Sequence, residues 1–384
     1  MIRPAAQLFS VIVPAIAALF ALTVQAQQPI IIGLSATLTG PNAPIGIPAR
    51  NALEMLPKTL AGVPIRGIAL DDGGDPGAAV RNFRKLASED KMDIFIGSTS
   101  TPTALAVMDV AVETRTPQLS LAPITWKPEQ LPWVFMVPQP AGLMVEGVVA
   151  HMKANNVKTV GFIGFSDGWG ELNLQAINRL ATSGGYKIVA TERYARNDTS
   201  VTAQVLKVMA ANPDVVYIGA STAPAALPHL ALRERGYKGR IYHSPAVINR
   251  DFLRVGGKSV EGAIAPTGPM AVAEQLPDSN PIKKVALAFQ KEYDAKYGPG
   301  GAIVFGAYAY DAIRLIEAAI PVAVKKAAPG TAEFRAALRD AVEDLKNVVG
   351  THAIYSMTKE DHNGVDARAR VMVKVENAGW QLLP

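Results

Sequence analysis

Thr159-Val160-Gly161-Phe162-Ile163, running into Gly164-Phe165-Ser166-Asp167-Gly168, is the stretch on which the fold turns. A short β-branched and aromatic run that ends in glycines and small polar residues reads as a buried strand followed by a loop. It is the second such start in the chain. The first is Ile30-Ile31-Ile32-Gly33-Leu34, and from there strand-like runs alternate with segments of helical period. Strands are expected over 65–70, 93–96 and 118–121. Asp75-Pro76 reads as an N-cap with proline at the first helical position, opening a helix whose apolar face is Val80, Phe83 and Leu86-Ala87. Further helices are expected over 103–112 and 142–154. After Thr159 the rhythm repeats, with helices over 171–182, 201–211 and 224–235 and strands over 187–190, 214–218 and 240–242. Alternation of this kind predicts βαβ units on parallel sheets, and two series predict two doubly wound, Rossmann-like α/β lobes.

Past Gly268 the pattern changes to long helical segments over 282–297 and 303–324, a shorter one over 332–345, and strand-like pieces over 352–355 and 369–375. These must pack on lobes already begun. The lobes are therefore expected to be discontinuous, 27–141 with 268–350 and 142–267 with 351–384, joined by crossovers. Ligands of open parallel sheets bind outside the carboxyl ends of the strands, so the post-strand loops should face one another across a cleft.

Length and composition agree. The 384 residues are 49% hydrophobic and 18% charged, a globular composition, and a single core stops growing at about 250 to 300 residues. No cysteine is present, which excludes thiol catalysis, Cys-ligated zinc and iron–sulfur clusters. The formal charge of +5 comes from 38 basic against 33 acidic residues, with no basic run interleaved with aromatics, so no nucleic-acid partner is expected. Arg3, the apolar stretch over 11–22 and the small residues Val24 and Ala26 read as a secretory signal over 1–26, cut after Ala26. Pro14 interrupts a run already shorter than the ~20 residues a spanning helix needs. With no cysteine near the cut to carry a lipid, a soluble exported protein is expected.

Candidate chemistry is sparse. Gly164-Phe165-Ser166-Asp167-Gly168 fits the G-x-S-x-G nucleophile elbow, which makes a serine hydrolase using Ser166 the alternative of another class. Gly168-Trp169-Gly170, however, places poor helix formers where the elbow's helix should begin, and a start near Glu171 is expected instead. The histidines at 151, 229, 243, 352 and 362 have no metal-ligand spacing, and the glycine runs at 168–170 and 298–301 match no nucleotide-binding pattern. No metal, cofactor or catalytic residue is expected. Asp71, Asp72 and Asp75 suit capping and turns. The post-strand loops carry more. Ser98-Thr99-Ser100-Thr101-Pro102-Thr103 gathers hydroxyls at a helix start, where the dipole and free N–H groups suit a carboxylate. The loop Leu121-Ala122-Pro123-Ile124-Thr125-Trp126 offers small apolar contacts, and Trp169, between glycines, is placed to cover a ligand.

In order and spacing these residues resemble the leucine/isoleucine/valine-binding family of type I periplasmic binding proteins. The resemblance runs over nearly the whole chain after the export signal: Ile32-Gly33, Thr39-Gly40-Pro41, Gly46, Asn51-Ala52, Asp71-Asp72, Asp75-Pro76, Ala78-Ala79, Ile96-Gly97-Ser98, Ser120-Leu121-Ala122-Pro123, Gly168-Trp169-Gly170, Val216-Tyr217-Ile218-Gly219 and Ala309-Tyr310-Asp311-Ala312. It implies two α/β lobes with three interlobe crossovers and a periplasmic, monomeric solute receptor for an ABC importer, with an inner-membrane permease as partner. For the site it implies Ser98, Ser100, Thr101, Ala122, Pro123 and Ile124 from the first lobe, and Trp169, Ser221 and Val247 from the second. Amino-acid binders of the family commonly meet the α-ammonium with an acidic residue in the last pocket loop. Here Ser244-Pro245-Ala246-Val247-Ile248-Asn249 has none. Together with the tail from Tyr355 to Arg370, this favours a small carboxylate with an aromatic or apolar body over a Leu/Ile/Val-type amino acid, which stays as the alternative ligand.

Overall fold

The computed structural model describes residues 28–298 and 304–383; the expected export signal lies outside them. β1 (Ile30–Ala36) is buried along its whole length because the helices over 43–53 and 76–88 pack on its two faces and parallel strands flank both edges, which is why it reads as an unbroken apolar run rather than an alternation. Its sheet runs in the order β2 (Thr59–Leu60), β3 (Val63–Asp71), β1, β4 (Ile94–Gly97), β5 (Gln118–Ser120), β6 (Val134–Met136), with only β2 antiparallel.

In the second sheet β7 (Thr159–Phe165) takes the same central role, between β8 (Lys187–Tyr194) and β9 (Val215–Gly219). β10 (Arg240–His243) and β11 (Ile264–Thr267) continue the parallel series. The hairpin β12 (Val348–Val349) and β13 (Ile354–Tyr355) stands apart, and β14 (Val371–Glu376) and β15 (Gly379–Leu382) add antiparallel strands beyond β11.

Helices α1 (Ala43–Leu53), α2 (Pro76–Ser88) and α3 (Thr101–Thr114) belong with the first sheet. The second sheet carries α4 (Ala141–Ala154), α5 (Gly168–Arg179), α6 (Ala181–Gly184), α7 (Thr202–Ala210), α8 (Ala226–Glu234) and α9 (Arg250–Gly256). α10 (Pro281–Tyr297), α11 (Val304–Ala323) and α12 (Ala332–Glu343) follow, with α11 lying against α1 and α12. The chain passes between the lobes between β6 and α4, at Gly268, and between 364 and β14.

Two expectations are corrected, and one helix was not expected. The segment 351–364, assigned to the second lobe, sits on the first: the N–H groups of Thr351 and His352 donate to Asp311, and His362 stacks on Phe135 at 4.0 Å. α5 begins at Gly168 rather than near Glu171, because the Asp167 carboxylate accepts the N–H groups of Trp169 (2.9 Å) and Gly170 (3.2 Å). Gly170 is there for close approach, since a Cβ would fall 1.9 Å from the Phe165 carbonyl oxygen. α1, whose Pro44, Gly46 and Pro48 argue against a helix, forms with proline in its first turn, and its Gly46 repeats the device, with a Cβ position 2.0 Å from the Thr37 oxygen.

Candidate functional site

Both central strands are points where the strand order reverses, so the loops leaving β1 and β4 diverge from one another, as do those leaving β7 and β9. The two crevices face each other across a cleft with about 570 Å³ of empty space, counting the part open at its mouth. Thr99, Ser100 and Thr101 from the start of α3, with Leu121, Ala122 and Pro123 after β5, form one wall. Trp169, Arg196, Ser221, Pro245 and Ala246 form the other. Ile45, Pro138, Gln139, Val304, Phe305 and Tyr308 complete the lining.

Of the expected site residues, Ser100, Thr101, Ala122, Pro123, Trp169 and Ser221 line this cleft, whereas Ser98, Ile124 and Val247 do not. The Ser98 hydroxyl turns away and donates to buried Asp72, which also accepts from Ser35 (3.1 Å) and Thr37 (2.8 Å). Through Thr37, whose N–H donates to Thr99 Oγ1 (3.0 Å), this network fixes the hydroxyl loop from behind. Ile124 and Val247 are core residues; Pro245 and Ala246 take the position in the last loop expected of Val247.

The polar groups fall into two kinds. Some are already bonded: Thr101 Oγ1 donates to the Pro123 carbonyl (2.8 Å), and the indole N–H of Trp169 to the Ala220 carbonyl (3.4 Å), leaving the ring face to the cleft. Others remain open. Ser100 caps α3, but its hydroxyl pairs with Thr103 Oγ1 (2.8 Å) and makes no bond to the first turn, so the N–H groups there keep no side-chain acceptor.

Arg196 is the residue the sequence reading missed. Its guanidinium lies 4.4 Å over the Phe165 ring, donates to Ser221 Oγ (3.1 Å) and is paired with Asp167. Among the described residues it is the one Lys or Arg of the lining, and no Asp or Glu lines the cleft. Tyr308, the other titratable lining group, is pushed well above the ordinary phenol range by burial. Ser221 is presented to the cleft beside Thr222, a β-branched residue at φ +52°, a strained geometry of the kind found at ligand sites. Thr222 Oγ1 also reaches Asn42 of the first lobe at 3.5 Å.

Ser166 is exposed and outside this lining, and none of the histidines bonds to it. His151 pairs with Tyr242, His229 with His243, His352 with the Val304 carbonyl and His362 with Glu343. Among the described residues no group of three or more His, Cys, Asp or Glu could hold a metal ion, and no helix is long and apolar enough to cross a membrane.

Two parallel-sheet lobes joined by three passes of the chain around one small-molecule cleft define a type I periplasmic binding protein. The chain belongs to the periplasmic binding protein family, whose model matches residues 29–379. A solved extracellular ligand-binding receptor from Rhodopseudomonas palustris HaA2 is 44% identical, with a TM-score of 0.91 over 93% of this chain and 100% of that one. The Leu/Ile/Val-binding protein homolog 3 of Brucella melitensis biotype 1 is 27% identical over 84% of this chain and 86% of that protein. The branched-chain amino acid transporter substrate binding protein LivJ of Streptococcus pneumoniae, solved with isoleucine, shares the fold at a TM-score of 0.77 and 17% identity, over 93% of this chain and 99% of that one. The protein is thus a periplasmic binding protein, and the relatives named here are binding proteins and a ligand-binding receptor.

Proposed function

We propose that the protein is the periplasmic receptor of an ABC importer, exported by a cleaved signal, and that it carries a small carboxylate with an apolar or aromatic body and no ammonium group. The observation that carries this reading is the charge inventory of the cleft among the described residues: one guanidinium, Arg196, and no lining carboxylate. Asp167 lies outside the lining and is already paired with Arg196, so an α-ammonium would be desolvated with no carboxylate of its own among the described lining residues, at a cost of several kcal/mol. A carboxylate would find Arg196, the Ser221 hydroxyl and the open N–H groups of α3. The apolar lining of Ile45, Leu121, Ala122, Pro123, Trp169, Ala246, Val304 and Phe305 suits a flat or branched hydrocarbon body. Ligand first held on one lobe gains the contacts of the other only when the lobes close, so closure follows from its higher affinity for the closed state. The permease would then read the closed pair.

The name of the Brucella relative favours the second reading, a receptor for leucine, isoleucine or valine. Calorimetry of the refolded, ligand-stripped protein separates the two. Benzoate-type acids should bind in the nanomolar to micromolar range and leucine should give no heat; leucine binding in that range without binding of aromatic acids refutes the proposal.

A further inference from the structure

We infer that Gln139 is the positioning residue that couples the wall of the cleft to the hinge. Gln139 lies on the first interlobe pass, between β6 and α4, and also lines the cleft while being almost wholly buried. Its amide makes two bonds in opposite directions. Nε2 donates to the Ala369 carbonyl (2.8 Å), on the third pass. Oε1 accepts the hydroxyl proton of Tyr308 (2.7 Å), a cleft-lining residue in the first turns of α11.

The second pass touches the same point. A Cβ on Gly268 would fall 2.7 Å from Gln139 Nε2 and 2.0 Å from Nδ1 of His352, whose ring stacks on Tyr308 at 4.0 Å. One amide therefore stands at the meeting of all three passes, and its acceptor end is held by a side chain the ligand would touch. The surroundings are otherwise stiff. Asn363 Nδ2 donates to the Met136 and Pro138 carbonyls (2.8 and 2.9 Å), which ties the end of the first-lobe segment 351–364 to the first pass. Relative rotation of the lobes must change the backbone of the passes, and Gln139 is bonded across two of them. A shift of Tyr308 in the cleft is then felt at Ala369 through two hydrogen bonds in a buried, low-dielectric setting.

The test needs no ligand, so it stands or falls separately from the carboxylate proposal. The chain has no cysteine, so Ser88→Cys on α2 and Thr182→Cys on α6, both exposed, give one spin label per lobe. Pulsed electron resonance then reads the interlobe distance distribution in the otherwise wild-type chain, in Gln139→Leu, in Tyr308→Phe and in the double variant. Each single variant should shift the ratio of the distance populations roughly tenfold, the scale of one or two lost buried hydrogen bonds. The double variant should shift it no further than the larger single, because both act through one link. Urea midpoints are measured in parallel. A residue with only a structural role would lower the midpoint and leave the distances unchanged, and that result overturns the inference. Simple addition of the two effects overturns it as well, since it means separate contacts. Should Gln139→Leu fail to fold, Tyr308→Phe, which removes a single hydroxyl, decides alone: unchanged distances refute the coupling.

Discussion

Replacing Arg196 with methionine would remove the one guanidinium among the described residues of the cleft while keeping much of its aliphatic bulk over Phe165. Stability should fall by about 1–3 kcal/mol, because the Arg196–Asp167 pair is mostly sheltered, with 22% and 23% of the side chains exposed, and loss of the guanidinium leaves the Asp167 charge without its partner. Asp167 keeps its second role, capping α5 through the N–H groups of Trp169 and Gly170. Binding should change a great deal. A charge-assisted hydrogen bond to a carboxylate is worth roughly 1.5–3 kcal/mol, which corresponds to about a 10- to 150-fold loss of affinity. Arg196→Lys, which keeps the charge but loses the planar fork, should fall between. The assay is calorimetry with the tightest-binding acid of a benzoate series, repeated with the corresponding amide, whose weaker binding should be almost insensitive to the substitution. Unchanged acid affinity in an Arg196→Met protein that still unfolds cooperatively in urea would refute the role given to Arg196.

Trp169→Ala should weaken acid binding roughly 10- to 100-fold by removing the aromatic face, with an unchanged far-ultraviolet circular dichroism spectrum; undiminished affinity would take Trp169 out of the ligand's reach. Gly170→Ala, which forces a methyl against the Phe165 backbone, should destabilise by about 1–3 kcal/mol and weaken binding by displacing Trp169, read by urea denaturation and calorimetry. Buried Asp93, which accepts the N–H groups of Ile31 (3.0 Å) and Gly330 (2.8 Å), is pushed up to about 6 by desolvation. A raised carboxyl favours the folded state below the unfolded value and loses that contribution as pH rises through about 6. Stability relative to Asp93→Asn should therefore fall by about 2–3 kcal/mol between about pH 4 and pH 7. His229 and His352, both lowered to about 3 by burial, act in the opposite direction and are common to both proteins, so a pH-independent difference would refute the assignment.

The two-lobe architecture was legible because the central strands β1 and β7 are covered on both faces and so appear as unbroken apolar runs, each opening a series in which strands and helical segments alternate. α1 was hidden by its prolines and glycine, which local propensity counts against a helix although the glycine is required by packing on Thr37. The placement of 351–364 rests on the buried carboxylate of Asp311 and on the stacking of His362 and Phe135, contacts between residues far apart in the chain that no local pattern announces. Within the site, the hydroxyl loop and Trp169 were visible from their positions after strands. Which hydroxyl faces the ligand was not, because Ser98 and Ser100 differ only in the partner each finds, Asp72 for one and Thr103 for the other. Arg196 escaped because β8 is an edge strand whose alternating exposure and charges at Glu192 and Arg193 made it read as ending at Ala190, which left the following loop unplaced.

The central claim is that the cleft takes a carboxylate and rejects an ammonium. Phenylalanine and 3-phenylpropanoate share a skeleton and differ only in that group, so side-by-side calorimetry of the pair on the ligand-stripped protein tests it most directly. The acid should bind at least 100-fold more tightly than the amino acid, the scale set by an unpaired buried charge. Equal affinities, or tighter binding of phenylalanine, would contradict it.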